Sequence, residues 1–222
     1  MLSKQETFQL FDKLKEQDKR DARYELAARL QYGAGLRLSE LVRLRVQDVD
    51  VGRGTVTVRQ GKGDKDRVTV LPKSLRNEIA EQIERARAVW KGDREAGLAG
   101  VYLPGALARK FRRAAETFEW FWLFPAKQVS TDPESGIRRR HHLHGQVYNE
   151  SIKRAAGAAG IEKRVTSHAL RHSFASYHLA YFKDAARTAL EAGHSQAVLF
   201  RHYRELVTQE DAEAWWSGWV LE

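Results

Sequence analysis

The stretch Ser167–His178, SHALRHSFASYH, places two of its three histidines and an arginine, His168, Arg171 and His172, within about one and a half helical turns. His168 and Arg171 are three positions apart, so a helix would present both side chains on one face. His172 is one position further on and would point elsewhere, which favours a core or supporting role for it. The sequence therefore predicts a helix over 167–180 that aims His168 and Arg171 at a common site.

Helical spacing of apolar residues continues on both sides of this stretch. Segment 21–35 is predicted to be a helix that stops at Gly-Ala-Gly, and a second helix is expected to open at Ser39 with Glu40 in its first turn. Arg37 would then lie at the corner between two helices. Further helices are predicted over 74–90, 144–159, 184–192, a short segment before Tyr203, and 210–219.

Two segments, 54–60 and 66–72, alternate β-branched residues with polar ones on either side of the turn sequence GKGDK. This pattern predicts an antiparallel hairpin with Lys62 at or beside its turn. No internal repeat or low-complexity tract interrupts the chain, so we expect one continuous domain.

The composition favours an anionic partner. Lysine and arginine number 38 against 29 aspartates and glutamates, for a net charge of +9. Such an excess suits nucleic acid better than a membrane surface. The chain has no cysteine, which excludes disulfides, thiol nucleophiles and cysteine zinc sites. The sequence contains no apolar run long enough to span a membrane, so we expect a cytoplasmic protein.

Six polar residues at helix starts and corners form a recognisable order along the chain: Arg37, Lys62, His168, Arg171, His194 and Tyr203. Their local contexts are GAGLRLSELVRLRVQDVD, GKGDKDR, HALRHSFAS and AGHS. Together these motifs resemble the active site of the tyrosine recombinases, and the resemblance covers essentially residues 1–222. It implies a catalytic domain of the α+β class, mainly helical, with a small three-stranded antiparallel sheet.

The chemistry of that family suits these residue types. Tyr203 would attack a DNA phosphodiester, although a phenol with a pKa of about 10 needs nearby bases and cations to act at neutral pH. Negative charge would build on the non-bridging phosphate oxygens. Arg37 and Arg171 could clamp those oxygens, because guanidinium groups are planar and permanently charged.

The other three residues would handle protons. His168 and His194 could donate to the phosphate or relay the Tyr203 proton, and Lys62 would protonate the departing 5′ oxygen. No metal or other cofactor is expected, because the arginines neutralise the charge. Taken singly each residue has an ordinary structural explanation, such as a turn lysine or a helix cap, and only the ordered set points to catalysis.

Residues 98–144, which include DPESG followed by RRRHH, resemble the extra segment of integron integrases. In that family the segment recognises a folded, single-stranded recombination site through its protruding bases. Aromatic and imidazole faces can stack on such bases while arginines follow the phosphates. The DNA-binding residues expected here are Trp120, Pro133, Arg139, Arg140, His141, His142 and Lys65.

Two alternatives concern this segment. Phe121 and Trp122 are expected to be core residues rather than base contacts. A metal site formed by His141, His142 and His144 is disfavoured, since no cysteine or paired acid completes a ligand set.

Two features depart from the integron pattern. Only a short segment precedes the helix leading to Arg37, so we expect the N-terminal core-binding domain of the family to be absent. The tail over 181–216 is more similar to the ending of other bacterial chromosomal tyrosine recombinases. Its Trp215, Trp216 and Trp219 could anchor a neighbouring protomer or pack on their own domain, and the sequence leaves both open.

The resemblance implies a site-specific recombinase that cleaves and rejoins DNA through a 3′-phosphotyrosyl intermediate, on folded integron cassette sites. It also implies a tetramer in the active synapse and a bacterial, nucleoid-associated location. Three alternatives stay open: a chromosomal or phage-type recombinase on duplex DNA, a type IB topoisomerase, and a non-catalytic DNA-binding recombinase fragment.

Overall fold

The computed structural model describes residues 1–17, 23–59, 66–111, 113–193 and 207–217, together with 195, 197, 199 and 201. The helices in this part of the chain are α1 Lys4–Gln17, α2 Arg23–Ala34, α3 Leu38–Val42, α4 Arg76–Glu95, α5 Gly105–Lys110, α6 Gly145–Ala158, α7 Ser167–Phe182, α8 Ala185–Ala192 and α9 Gln209–Ser217. The strands are β1 Val49–Asp50, β2 Thr55–Val58, β3 Arg67–Val70, β4 Pro125–Thr131 and β5 Arg138–His142.

The predicted helices α2, α4, α6, α7 and α8 are present, and the largest difference is that α4 continues to Glu95. Helix α8 begins where expected because the Asp184 side chain caps it, accepting a hydrogen bond of 2.9 Å from the backbone N–H of Arg187. Helices α1 and α5 were not predicted. The short helix expected before Tyr203 and the end of the helix expected over 210–219 lie partly or wholly outside the described residues.

The corner between α2 and α3 depends on Gly35, whose φ is +64°. A Cβ at this position would lie 2.3 Å from Cδ1 of Phe174, so only glycine fits between α2 and α7. Helix α3 begins at Leu38, one residue earlier than predicted, and Arg37 occupies its N-cap position. The corner therefore places Arg37 next to the first turns of α7.

The small antiparallel sheet has the order β1-β2-β3, with Val49 opposite Val56 and Thr55 opposite Val70. This confirms the predicted three-stranded sheet. A second sheet, β4-β5, was not predicted, because its strands are rich in charged residues and lack clear alternation. Its connecting turn is fixed by Asp132, whose carboxylate accepts backbone N–H groups of Glu134 and Ser135 at 3.0 and 3.2 Å.

The main core forms where α1, α2, α6, α7 and α9 pack together. Trp215 is fully buried there, stacks on Tyr177 at 5.4 Å between ring centroids and donates a 2.5 Å hydrogen bond to the Tyr32 hydroxyl. Trp216 is also buried. Both tryptophans thus pack on their own domain, and the idea that they anchor a neighbouring protomer is wrong for these two; Trp219 lies outside the described residues.

A smaller core is formed by side chains of residues 101–122 packed against α4, and it includes Phe121 and Trp122, as predicted. These side chains are 3% and 4% exposed.

Across the described ranges, no helix combines the length and apolar character that crossing a bilayer requires.

Candidate active site

Three of the six predicted catalytic residues line one cavity of about 520 Å³, which we call the arginine cavity: Arg37, His168 and Arg171. Arg37 comes from the α2–α3 corner, whereas His168 and Arg171 come from the first two turns of α7. His168 and Arg171 share a helix face as their spacing predicts, and His172 is half-buried.

Arg171 forms the floor of the arginine cavity and is only 1% exposed. Its guanidinium donates to the carbonyl of Gly35 and, at 2.5 Å, to that of Ala192. These carbonyls lie at the C-terminal ends of α2 and α8, where unpaired oxygens and the helix dipoles favour a cation. Arg171 is therefore held in place by two helix ends that are far apart in the sequence.

Arg37 lies nearer the mouth of the arginine cavity, with 23% of its side chain exposed. It donates to the Glu40 carboxylate at 2.6 Å and to the carbonyl of Gly193. Arg67 donates to both oxygens of the same carboxylate at 2.7 Å. Arg171 lies 3.9 Å from it. Glu40 is thus a shared anion for three arginines.

Burial alone would raise the pKa of Glu40, but hydrogen bonds and charge from Arg67 and Arg37 lower that pKa to about 2. The carboxylate is consequently charged at neutral pH. The sequence alone predicts Glu40 only in the first turn of a helix and indicates no role for Arg67. What identifies Glu40 and Arg67 is their ion pair, a buried acid among basic residues. This pair forms only when the two segments meet in the folded chain.

His168 sits exposed at the edge of the arginine cavity. Its pKa is lowered by burial of part of the ring and by the positive charges of Arg171 and Arg37. The neutral imidazole is therefore favoured, so His168 can accept a proton as well as donate one.

Four predicted residues lie outside the described part of the chain: Lys62, Lys65, His194 and Tyr203. Their neighbours in the sequence are described. The strands β2 and β3 flank Lys62 and Lys65, and Gly193, which accepts a hydrogen bond from Arg37, directly precedes His194. The roles of these four residues stay predictions.

A second cavity of about 750 Å³ adjoins the first, and we call it the aromatic cavity. The predicted base-contacting residues Trp120, Pro133, His141 and His142 all line it. Arg43 and His142 line both cavities. The structure thus brings together four residues of the 98–144 segment beside the arginine cavity.

Arg45 forms part of the wall of the aromatic cavity and was missed by the sequence analysis. Its guanidinium lies 4.1 Å from the ring centroid of Trp122 and 5.3 Å from that of Trp120, at cation–π distance. It also donates to the carbonyls of Trp120 and Tyr102 at 2.5 and 2.9 Å. Burial lowers the pKa of Arg45 to about 10, and it remains a cation at neutral pH.

The two histidines of the aromatic cavity differ in their partners. The ring of His142 packs edge-on against Trp122 at 5.0 Å, and Nδ1 lies 2.8 Å from the Leu143 carbonyl, so this nitrogen carries a proton. Burial lowers the pKa of His142. The buried Nε2 of His141 has no hydrogen-bond partner among the described residues. A buried polar atom without a partner is costly to the fold.

Arg139 and Arg140 differ from the expectation that they would be available to follow DNA phosphates. Arg140 forms two hydrogen bonds of 2.6 Å with the Asp93 carboxylate. It also donates to the backbone carbonyls of Ala126 and Lys127 in β4. Arg139 lies 3.6 Å from Asp132. Arg140 therefore ties β5 to α4, whereas Arg139 pairs within the β4–β5 hairpin. Within the described ranges, no group of three or more histidine and acidic side chains is arranged to hold a metal ion.

Known proteins resemble this chain in sequence and in fold. An integrase/recombinase of Escherichia coli is 47% identical over 175 residues, which cover 79% of this chain and 52% of that protein. The tyrosine recombinase XerA of Thermococcus kodakarensis is 31% identical over 221 residues, covering 100% of this chain and 63% of that protein. The chain therefore spans about half to two thirds of these relatives' length.

Solved structures show the same fold. The crystal structure of XerA recombinase superposes with a TM-score of 0.62 at 22% identity, covering 98% of this chain and 62% of that one. The catalytic domain of bacteriophage HP1 integrase gives a TM-score of 0.53 at 19% identity, covering 91% of this chain and 85% of that one. The profile of the phage integrase family matches residues 1–210. With its fold, its arginine cavity and these relatives, the chain belongs to the phage integrase family.

Proposed function

We propose that this chain is a site-specific DNA recombinase that cleaves and rejoins strands through a 3′-phosphotyrosyl intermediate. The observation that supports this most directly is the convergence of Arg37, His168 and Arg171 on one cavity. Two permanently charged guanidiniums and a neutral imidazole form a site suited to a phosphodiester. The basic net charge of +9 agrees with a DNA partner.

In the proposed reaction the Tyr203 oxygen attacks the scissile phosphorus, and the bond from phosphorus to the 5′ oxygen breaks. Lys62 gives its proton to that oxygen, while Arg37 and Arg171 stabilise the charge on the non-bridging oxygens. His168, with His194, accepts or relays the proton of the tyrosine. A 5′ hydroxyl then attacks the phosphotyrosyl ester, so the strand is resealed without an external energy source.

Covalent trapping tests this function. The protein is incubated with a nicked site whose cleaved end diffuses away, and the protein–DNA adduct is measured on a denaturing gel. We expect an adduct with the wild-type chain and with the control Tyr181→Phe, and none with Tyr203→Phe. An adduct that persists in Tyr203→Phe would exclude this residue as the nucleophile. Retained DNA binding without any wild-type adduct would favour the non-catalytic binding module.

For the substrate, we propose a folded, single-stranded integron cassette site. Support comes from the aromatic cavity, where the rings of Trp120, His141 and His142 meet beside the arginine cavity. An extrahelical base could stack on these rings, with the neighbouring phosphate on the exposed Arg43. A chromosomal or phage-type recombinase on duplex DNA, or a type IB topoisomerase, would need no such base contact.

Hairpins with and without protruding bases separate these substrates. We expect the wild-type chain to prefer the hairpin with protruding bases. Trp120→Ala should lose about 5- to 100-fold of that preference, which corresponds to about 1–3 kcal/mol per stacked base. Phe8→Ala removes an exposed aromatic residue of α1, outside the cavity, and serves as the control. Equal affinity of the wild-type chain for both hairpins would favour duplex DNA.

Assembly and location follow from the same proposal. Recombination requires several cleavage sites to act together, so we propose self-association on DNA, with a tetramer in the active synapse. The protein would then act on the bacterial nucleoid, in the cytoplasm. Sedimentation of the protein with and without its DNA site measures this assembly. Complexes that contain a single protein chain at saturating DNA would contradict it.

A further inference from the structure

The last turn of α8 supplies three backbone carbonyls to the arginines of the active site. Glu191 accepts from Nε of Arg67 at 3.1 Å, Ala192 accepts from Arg171 at 2.5 Å, and Gly193 accepts from Arg37. This turn also directly precedes His194 in the sequence. A displacement of the turn would therefore move all three guanidinium groups.

A buried polar contact fastens this turn to α7. His178 is fully buried, and its Nε2 lies 2.9 Å from the Glu191 carboxylate. A carboxylate only accepts hydrogen bonds, so the Nε2 nitrogen carries the proton. On the other side of the ring, Nδ1 lies 2.8 Å from the Thr188 hydroxyl, one turn earlier in α8. The imidazole thus contacts two successive turns of α8.

The surroundings make this contact directional. Phe174, Phe182 and Trp216 enclose the imidazole at ring-centroid distances of 5.3, 4.5 and 5.5 Å. Burial would raise the pKa of Glu191, but hydrogen bonds from His178 and Arg187 keep that pKa below its usual range. A charged acceptor at the edge of an apolar enclosure is costly unless its partner is correctly placed. The helix therefore has one favoured position.

We propose that the His178–Glu191 pair positions the active-site arginines by fixing the register of α8 on α7. Neither residue lines the arginine cavity, so both are positioning residues. The consequence for catalysis rests on the proposed function, whereas the placement of the arginines does not. A purely apolar contact in the same place would hold α8 on α7 without specifying the position of its last turn to a fraction of an ångström.

The catalytic test compares rates of adduct formation at saturating DNA. Glu191→Leu and His178→Leu remove the polar contact and should slow cleavage about tenfold, as for a small misplacement of catalytic groups. DNA affinity should change by less than about twofold. His178→Gln keeps an N–H donor near the position of Nε2 and should recover most of the rate. Arg187→Ala is the control, because it removes the exposed partner of Glu191 and leaves His178 in place.

Wild-type cleavage rates in Glu191→Leu and His178→Leu, with the fold intact by thermal unfolding, would overturn the proposal. So would an equal loss in His178→Gln and His178→Leu, because a donor-specific role requires them to differ. If Glu191→Leu fails to fold, Glu191→Gln and the two His178 variants decide the question.

A second readout does not depend on catalysis. In the wild-type chain labelled with ¹⁵N-arginine, the Nε–H signal of Arg67 and the Nη–H signals of Arg171 report the hydrogen bonds that these groups donate to the carbonyls of Glu191 and Ala192. We expect both signals to shift in Glu191→Leu and to stay in place in Arg187→Ala. Unchanged signals would overturn the positioning role even if the wild-type chain forms no covalent adduct. Shifted signals without any adduct would leave the positioning intact and reject the proposed function.

Discussion

The arginine cavity and the aromatic cavity adjoin and share Arg43 and His142, yet they are held together in different ways. The arginine cavity depends on charges contributed by the α2–α3 corner, β3, α7 and the end of α8. The aromatic cavity takes its aromatic rings and histidines from one continuous segment, 98–144, and its other wall from residues 40–66, which include the buried guanidinium of Arg45. One site is a long-range electrostatic network, and the other sets the aromatic rings of a single segment against a charged wall.

This difference determines how each site should respond to substitution. In the network, Glu40 has ion-pair partners that are 3 and 27 residues away in the sequence, so a change in one partner affects the others. In the aromatic cavity the wall residues contribute more independently. Function should therefore fail steeply in the arginine cavity and gradually in the aromatic one, where Trp120→Ala removes a single wall residue. Four further variants probe the arginine network, β5 and the place where the two cavities meet.

The largest effect is expected from Arg171→Lys. Lysine keeps the charge but cannot donate to the carbonyls of Gly35 and Ala192 while also presenting a planar pair of donors to phosphate. We expect adduct formation to slow about 100- to 1000-fold, as for the loss of a donor that stabilises transition-state charge. The rate of covalent trapping measures this. A loss below tenfold would mean that Arg171 is structural only.

Glu40→Gln tests the shared anion. The pKa of Glu40 is about 2 in the folded chain against 4.5 for the free side chain. The ionised Glu40 carboxylate therefore contributes about 3 kcal/mol to the free energy of unfolding by linkage. This contribution is present above pH 4.5 and is lost as the pH falls towards 2. Glu40→Gln should be less stable than wild type at pH 7, and the difference should shrink on acidification. Denaturant unfolding at several pH values measures it, and a pH-independent difference would contradict the network.

Arg140→Ala tests whether this arginine serves the fold or the DNA. Loss of its paired bonds leaves the buried Asp93 carboxylate without them, which should cost about 2 kcal/mol of unfolding free energy. The salt dependence of DNA binding should stay unchanged. Arg138, exposed on the same strand, is the comparison. If Arg138→Ala destabilises the fold as much as Arg140→Ala, the structural role assigned to Arg140 is wrong.

The smallest effect is expected for Arg43→Ala. This exposed arginine lies where the two cavities meet, so its loss should remove one phosphate contact, weaken DNA binding about three- to tenfold and reduce the salt slope by about one. Arg53→Ala, at the exposed turn between β1 and β2, is the control. Titrations at several salt concentrations compare the two, and equal slopes would place Arg43 outside the DNA path.

Much of the helical framework could be predicted from sequence because local signals fix it. The spacing of His168 and Arg171 predicted their common helix face, and alternation predicted the β2–β3 hairpin. The β4–β5 sheet was missed because charged residues conceal its pattern. The 98–144 segment was expected to place Trp120, Pro133, His141 and His142 together, and the structure does bring them to one cavity.

The partners of the arginines could not be predicted in the same way. Arg140 was expected to follow DNA phosphates, as the resemblance of its segment implies, yet its side chain pairs with Asp93, which lies 47 residues away in sequence. Likewise, the sequence left open whether Trp215 anchors a neighbouring protomer or packs on its own domain, because its partner Tyr32 lies 183 residues away. Composition reports how many apolar and charged groups exist, but not which of them meet.

The sequence by itself determined the family, the helical framework and the residue types that suit phosphate chemistry, because spacing and turn residues act over a few positions. Only the tertiary structure decided how those residues are held. It placed Glu40 among three arginines, set the last turn of α8 against their guanidinium groups, and buried His178 beside Glu191. These are long-range contacts between charges, and their strength depends on burial and distance, which exist only after the chain has folded.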